Sequence, residues 1–129
     1  MTIQNVLIDS SGWLEYFNGS GKKADSYEIA ISKNAKQSLF TSPIVIYEVF
    51  KRTKMTFGEY KANKSAAYII NNCIVLDLTK EIALEAARVS AKKNLPMADA
   101  LIYATAKLNN ARLMTSDLDF KALENVEIV

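Results

Sequence analysis

Short apolar runs alternate along this chain with longer stretches of helical pattern. Val6-Leu7-Ile8 reads as a buried strand. Ser10 and Ser11 then stand as caps for a helix over Gly12 to Phe17. The loop Asn18-Gly19-Ser20-Gly21 precedes a second helix, from Asp25 to Asn34. Ser38-Leu39-Phe40-Thr41 reads as a strand, and Ser42-Pro43 as a helix start for Ile44 to Thr53, with a capping residue ahead of a proline in the first turn. Thr56-Phe57-Gly58-Glu59 has capping-box spacing and opens a helix to about Asn71. Cys73 to Leu78 reads as a strand, and Thr79 caps a helix to about Asn94. Leu95-Pro96 opens another helix, to about Asn109; strands follow at Ala111 to Thr115 and at Val126 to Val129. Continuous apolar strands separated by helices predict a parallel sheet covered on both faces. The expected fold class is α/β, three layers, in one domain spanning residues 1–129.

Composition narrows the chemistry. The 129 residues contain no histidine and a single cysteine, Cys73. That excludes Ser-His-Asp and Cys-His catalysis in their usual forms, and His- or Cys-rich zinc sites with them. Cys73, inside the run CIVLDL, reads as a small buried hydrophobe. Any metal site must rest on oxygen ligands, which favour Mg²⁺ or Mn²⁺. The net charge of +2 is too mild to announce nucleic-acid binding by itself. No apolar run is long enough for a membrane span, and the start MTIQNVLIDSSGW lacks a basic region ahead of an apolar run. A cytoplasmic protein is the expectation.

In a parallel α/β sheet, sites form where the chain leaves the C-terminal ends of strands. Acidic residues collect there. Asp9 follows Val6-Leu7-Ile8, and Asp117 and Asp119 follow Leu113-Met114-Thr115. Glu48 lies early in the helix after strand 38–41, amid apolar and aromatic neighbours, and Asp99 lies in the first turn opened by Pro96. Each has an ordinary alternative: a turn or cap residue for the aspartates, an i,i+4 pair with Arg52 for Glu48. Their joint placement points to one acidic cluster. Such carboxylates raise one another's pKa, and a divalent cation relieves that repulsion. Lys51, Arg52, Lys54, Lys61 and Lys64 form a basic stretch just beyond Glu48, with Phe57 and Tyr60 between the charges. It reads either as a solvated face or as a rim for phosphates and unpaired bases.

Three segments carry a family resemblance: LIDSSGWLEYF at 7–17, SPIVIYEVFKR at 42–52 and LPMADALIYATAKLNNARLMTSDLDF at 95–120. In order and spacing they resemble PIN-domain proteins, and among these the VapC-type toxins of toxin–antitoxin pairs. The resemblance implies a PIN-like fold and a Mg²⁺- or Mn²⁺-dependent endoribonuclease cutting single-stranded or loop RNA. It implies Asp9, Glu48, Asp99 and Asp117 as the catalytic, metal-holding acids, with Asp119 the other choice for the fourth place. Thr115 and Ser10 resemble the hydroxyls that hold ligands or waters. It further implies an antitoxin protein as partner, covering the side that carries Trp13 and Phe17, and a homodimer. Trp13, Phe17, Tyr27 and Phe57 on expected helices suggest surplus aromatic surface for such contacts. The competing readings are a PIN-fold nuclease acting on DNA, or on RNA outside a toxin–antitoxin pair, and a non-catalytic PIN-fold binding module. A haloacid-type phosphatase fits poorly, since Asp9-Ser10-Ser11 stands where Asp-x-Asp is needed. Asp9→Asn and Asp99→Asn are both expected to leave the fold intact, because each removes charge from a repelling cluster.

Overall fold

A computed structural model describes residues 5–34 and 38–129. β1 (Asn5–Ile8) leads into α1 (Ser10–Asn18) and α2 (Lys22–Lys33). β2 (Leu39–Thr41) is followed by α3 (Pro43–Phe57) and α4 (Glu59–Asn72), and β3 (Ile74–Val75) by α5 (Lys80–Lys93) and α6 (Met97–Leu108). β4 (Ala111–Thr115), a 3₁₀ turn (Leu118–Phe120) and β5 (Val126–Ile128) complete the order. The five strands form one parallel sheet in the order β3-β2-β1-β4-β5, and helices cover both faces as the pattern predicts.

The sheet order matters for the site. The chain leaves β1 toward β2 on one side, while β4 lies on the other, so the direction of winding reverses beside β1. That reversal opens the crevice where α/β proteins place their ligands. Ile8 pairs with Met114, and the Asp9 N–H donates to the Met114 carbonyl at 3.0 Å. The exits of β1 and β4 are therefore adjacent, although more than a hundred residues separate them. The core they enclose includes Leu7, Ile8, Trp13, Tyr27, Leu39, Val45, Val49, Ile102, Leu113 and Phe120.

Four boundaries differ from the sequence reading, each for a local reason. Asp9 itself caps α1, accepting from the Ser10 N–H at 2.7 Å, which frees both serine hydroxyls for other contacts. α2 starts at Lys22, one turn early. α3 continues through Thr56 to Phe57, and the break falls at Gly58, whose φ of 93° suits glycine far better than a capping threonine. Of Cys73 to Leu78 only Ile74 and Val75 are strand, on the sheet edge and exposed. Ser42 and Thr79 cap α3 and α5 as expected, and Pro43 sits in the first turn. Cys73 is buried, and burial pushes its thiol up to about 12, as suits an inert core residue.

Candidate active site

The acidic side chains converge on the C-terminal edge of the sheet. Asp9 is 3% exposed, the most deeply placed of them. Its Oδ1 accepts from the Ser10 N–H, and from the Ser10 hydroxyl at 3.3 Å. Its Oδ2 accepts from the Ser11 hydroxyl at 3.0 Å and the Thr115 hydroxyl at 2.7 Å. Those two hydroxyls are themselves oriented by backbone amides. The Ser116 N–H donates to Ser11 Oγ at 3.2 Å, and the Asp117 N–H to Thr115 Oγ1 at 3.0 Å. Each therefore turns its own proton toward the Asp9 carboxylate, which meets donors on both oxygens. Ser10 Oγ also reaches Glu48 Oε1 at 2.8 Å, tying α1 to α3.

Asp99 is treated differently. It stands half-buried in the first turn of α6, and no donor among the described residues bonds its carboxylate. Burial, then the charges of Asp9, Asp117, Glu48 and Asp119 in that order, push its pKa up from 3.8 to about 7. Carboxylate oxygens of Asp99, Asp117 and Asp119 lie within 4.8 Å of one another. Asp117 also caps the 3₁₀ turn, accepting from the Asp119 N–H at 2.9 Å, so the two aspartates are set as a unit. Asp119 thus stands in the tightest acidic group beside Asp117, where the sequence reading made it the second choice for the fourth acid. An all-oxygen, mutually repelling set of this kind suits a hard divalent cation.

Residues 6–126 match the family model of the PIN domain. The chain belongs to the PIN-domain family. No curated protein matches it. Among solved structures this PIN domain is similar to a toxin–antitoxin complex from Klebsiella pneumoniae, at 22% identity and TM-score 0.76, over 95% of this chain and 96% of that one. A sarcin–ricin loop-cleaving VapC toxin of Mycobacterium tuberculosis is 18% identical at TM-score 0.79, over 96% and 98% of the two chains. A VapBC complex of Rickettsia felis, bound to a DNA fragment from its promoter, is 15% identical at TM-score 0.77, over 98% and 99%. At these identities the likeness establishes a shared fold, the three-layer α/β/α of PIN domains.

The basic stretch divides. Lys51 and Arg52 line a shallow cleft of about 500 Å³ with Tyr47, Glu48, Met55 and Thr56. Lys51 lies 5.8 Å from the centre of the Tyr47 ring. Lys54 is paired with Glu59 at 3.2 Å on the surface, while Lys61 and Lys64 rest on Phe57 and Tyr60. The aromatic residues also divide. Trp13 is fully buried, stacked on Phe17 and edge-on to Tyr68, and Tyr27 is fully buried too. Of the four aromatics read as surplus surface, only Phe57 is exposed. The exposed apolar side chains lie elsewhere and include Tyr47, Met55, Tyr60, Met97 and Leu118. The sequence reading missed Ser11, a helix cap by pattern, which here donates to Asp9, and it took Tyr27 for surplus surface where the structure buries it.

Proposed function

We propose that this PIN domain is a metal-dependent endoribonuclease that cuts single-stranded or loop RNA, acting as the toxin of a toxin–antitoxin pair. The observation that carries the reading is the convergence of five carboxylates from four separate segments, with Asp99 raised to a pKa of about 7 by burial and then by its neighbours' charges. Structural self-interest does not explain such a cluster, since unrelieved it opposes folding. Asp99, Asp117 and Asp119 would hold Mg²⁺ or Mn²⁺, with Asp9 and Glu48 close behind as further acidic ligands. A bound divalent cation supplies charge neutralisation at a phosphoryl oxygen and acidifies a water for attack. The chain's own groups do the rest. Ser10 holds Glu48 in register with Asp9, and the Ser11 and Thr115 hydroxyls hold Asp9 still. Lys51 and Arg52 take the phosphates next to the reacting one, and Tyr47, 60% exposed beside Glu48, stacks an unpaired base. Such stacking favours RNA whose bases are not already paired.

The test is cleavage by purified protein. Cutting of an unstructured RNA should require Mg²⁺ or Mn²⁺ and stop in EDTA, and a matched DNA should be cut poorly. Undiminished cleavage in EDTA would sink the mechanism, and preference for DNA would sink the substrate assignment.

The exposed Met97 and Leu118, on α6 and the 3₁₀ turn that carry Asp99, Asp117 and Asp119, also suit a protein surface. The proposed assembly is a homodimer, with an antitoxin as the further partner. Light scattering at micromolar concentration should report twice the chain mass; a monomer there refutes the dimer.

A further inference from the structure

The hydroxyl of Tyr27 does something that core packing does not require. Tyr27 lies on α2, a helix that brings no acid to the site. Its ring crosses α1 at Gly12, where an added Cβ would sit 2.5 Å from Tyr27 Cε1 and 2.8 Å from Cζ. A glycine inside a helix is destabilising relative to alanine. α1 carries that cost at the point where the ring passes. The ring thereby delivers its hydroxyl to the exit of β4, 2.7 Å from Ser116 Oγ. Phenylalanine would fill the same volume without burying a hydroxyl, which is unfavourable unless it is hydrogen-bonded. Burial pushes the phenol up to about 12, so the group stays neutral and protonated at any working pH.

Ser116 is the residue between Thr115 and Asp117. Its N–H is held by Ser11 of α1 and its side chain by Tyr27 of α2. From there the position passes on through the Asp117 N–H to Thr115, and through the Asp119 N–H to Asp117. We propose that Tyr27 is a positioning residue for the acidic cluster: through Ser116 it sets where Asp117 and Asp119 leave β4. The role rests on the reading of those acids as metal-holding.

Tyr27→Phe and Ser116→Ala, made in the full chain, test it. Mn²⁺ is titrated into RNA-free protein by calorimetry, and kcat and KM for RNA cleavage follow. Residues that orient metal ligands typically change affinity by about 10–100-fold, so each variant should weaken Mn²⁺ binding at least about tenfold. kcat should fall while KM for RNA stays put, because no RNA contact is lost. The double variant should be no worse than the poorer single one, since both remove the same bond. Variants that bind Mn²⁺ and turn over like the wild type, even with lowered melting temperatures, would make Tyr27 a core residue only and overturn the proposal. If Tyr27→Phe does not fold, Ser116→Ala decides alone, because it leaves the ring in place over Gly12. A wild-type protein that binds no Mn²⁺ would instead overturn the metal reading, and this role with it.

Discussion

Asp99→Asn is expected to abolish the proposed RNA cleavage and, in the metal-free protein, to raise the melting temperature. Both effects come from one carboxylate. Asp99 faces Asp9, Asp117, Glu48 and Asp119 with no donor among the described residues, and burial together with those charges raises its pKa to about 7. Asparagine keeps the shape but not the charge, so the proposed cation would lose one of its principal contacts. Metal assistance supplies several kcal/mol and each 1.4 or so is about tenfold in rate, which sets the expected loss at about a thousandfold or more. The stability effect has a definite sign with pH. An acid whose folded pKa lies above its unfolded value binds its proton more tightly in the native state, so ionisation costs stability. That cost is absent below pH 4 and grows as pH rises toward and through 7. The metal-free wild type should therefore melt higher at pH 5.5 than at pH 8, and Asp99→Asn should flatten this difference. Saturating Mn²⁺ should raise the wild-type melting temperature at pH 8, since it relieves the same repulsion in the native state alone. A variant that folds and cuts RNA at the wild-type rate would end the nuclease reading. A pH profile identical in wild type and variant would remove Asp99 as its source.

Asp9→Asn should also abolish cleavage, but with the opposite effect on stability. Counting charges alone predicts a neutral or stabilising change, and the hydrogen bonds reverse that. Asp9 accepts from four donors at a position 3% exposed. Asparagine retains one oxygen, for the Ser10 amide, and turns an NH₂ group toward the Ser11 and Thr115 hydroxyls. Those hydroxyls already accept from the Ser116 and Asp117 amides and lie 3.3 Å apart. One can turn its proton to the other, but the second proton is then left without an acceptor. Stranding a buried polar group costs about 1–3 kcal/mol. The metal-free variant should therefore melt several degrees below the wild type, as read by calorimetry or circular dichroism. Asp9→Asn as stable as Asp99→Asn would show that the hydroxyl network does not hold this carboxylate. The pair of variants thus separates a residue that the fold supports from one that the fold tolerates.

Both substitutions looked alike in the sequence because spacing reports which edge of a sheet a residue occupies, not what surrounds it there. Asp9 and Asp99 each follow a strand exit or open a helix, and that much was readable. Whether donors or other carboxylates face the side chain depends on which strands become neighbours. The same distinction explains the aromatic residues. Trp13, Phe17, Tyr27 and Phe57 share a residue class and a helical setting, yet only Phe57 is exposed. Burial is settled by the helix packed opposite.

By itself the sequence determined the α/β class, most element boundaries and the candidate acids. These depend on local chemistry: apolar period, the capping by Ser42 and Thr79, and the proline opening α3. Its misreadings were also local, as at Gly58, where the break awaited a backbone of positive φ. Only the tertiary structure decided that β1 lies beside β4, which brings Ser11 and Thr115 together around Asp9. Only it decided that Asp119 stands level with Asp117, and that Tyr27 reaches across Gly12 to Ser116. The physical reason is that each of these contacts joins segments far apart in the chain. Their free energy depends on strand order and helix packing, and neither leaves a periodic trace in the residues that make the contact.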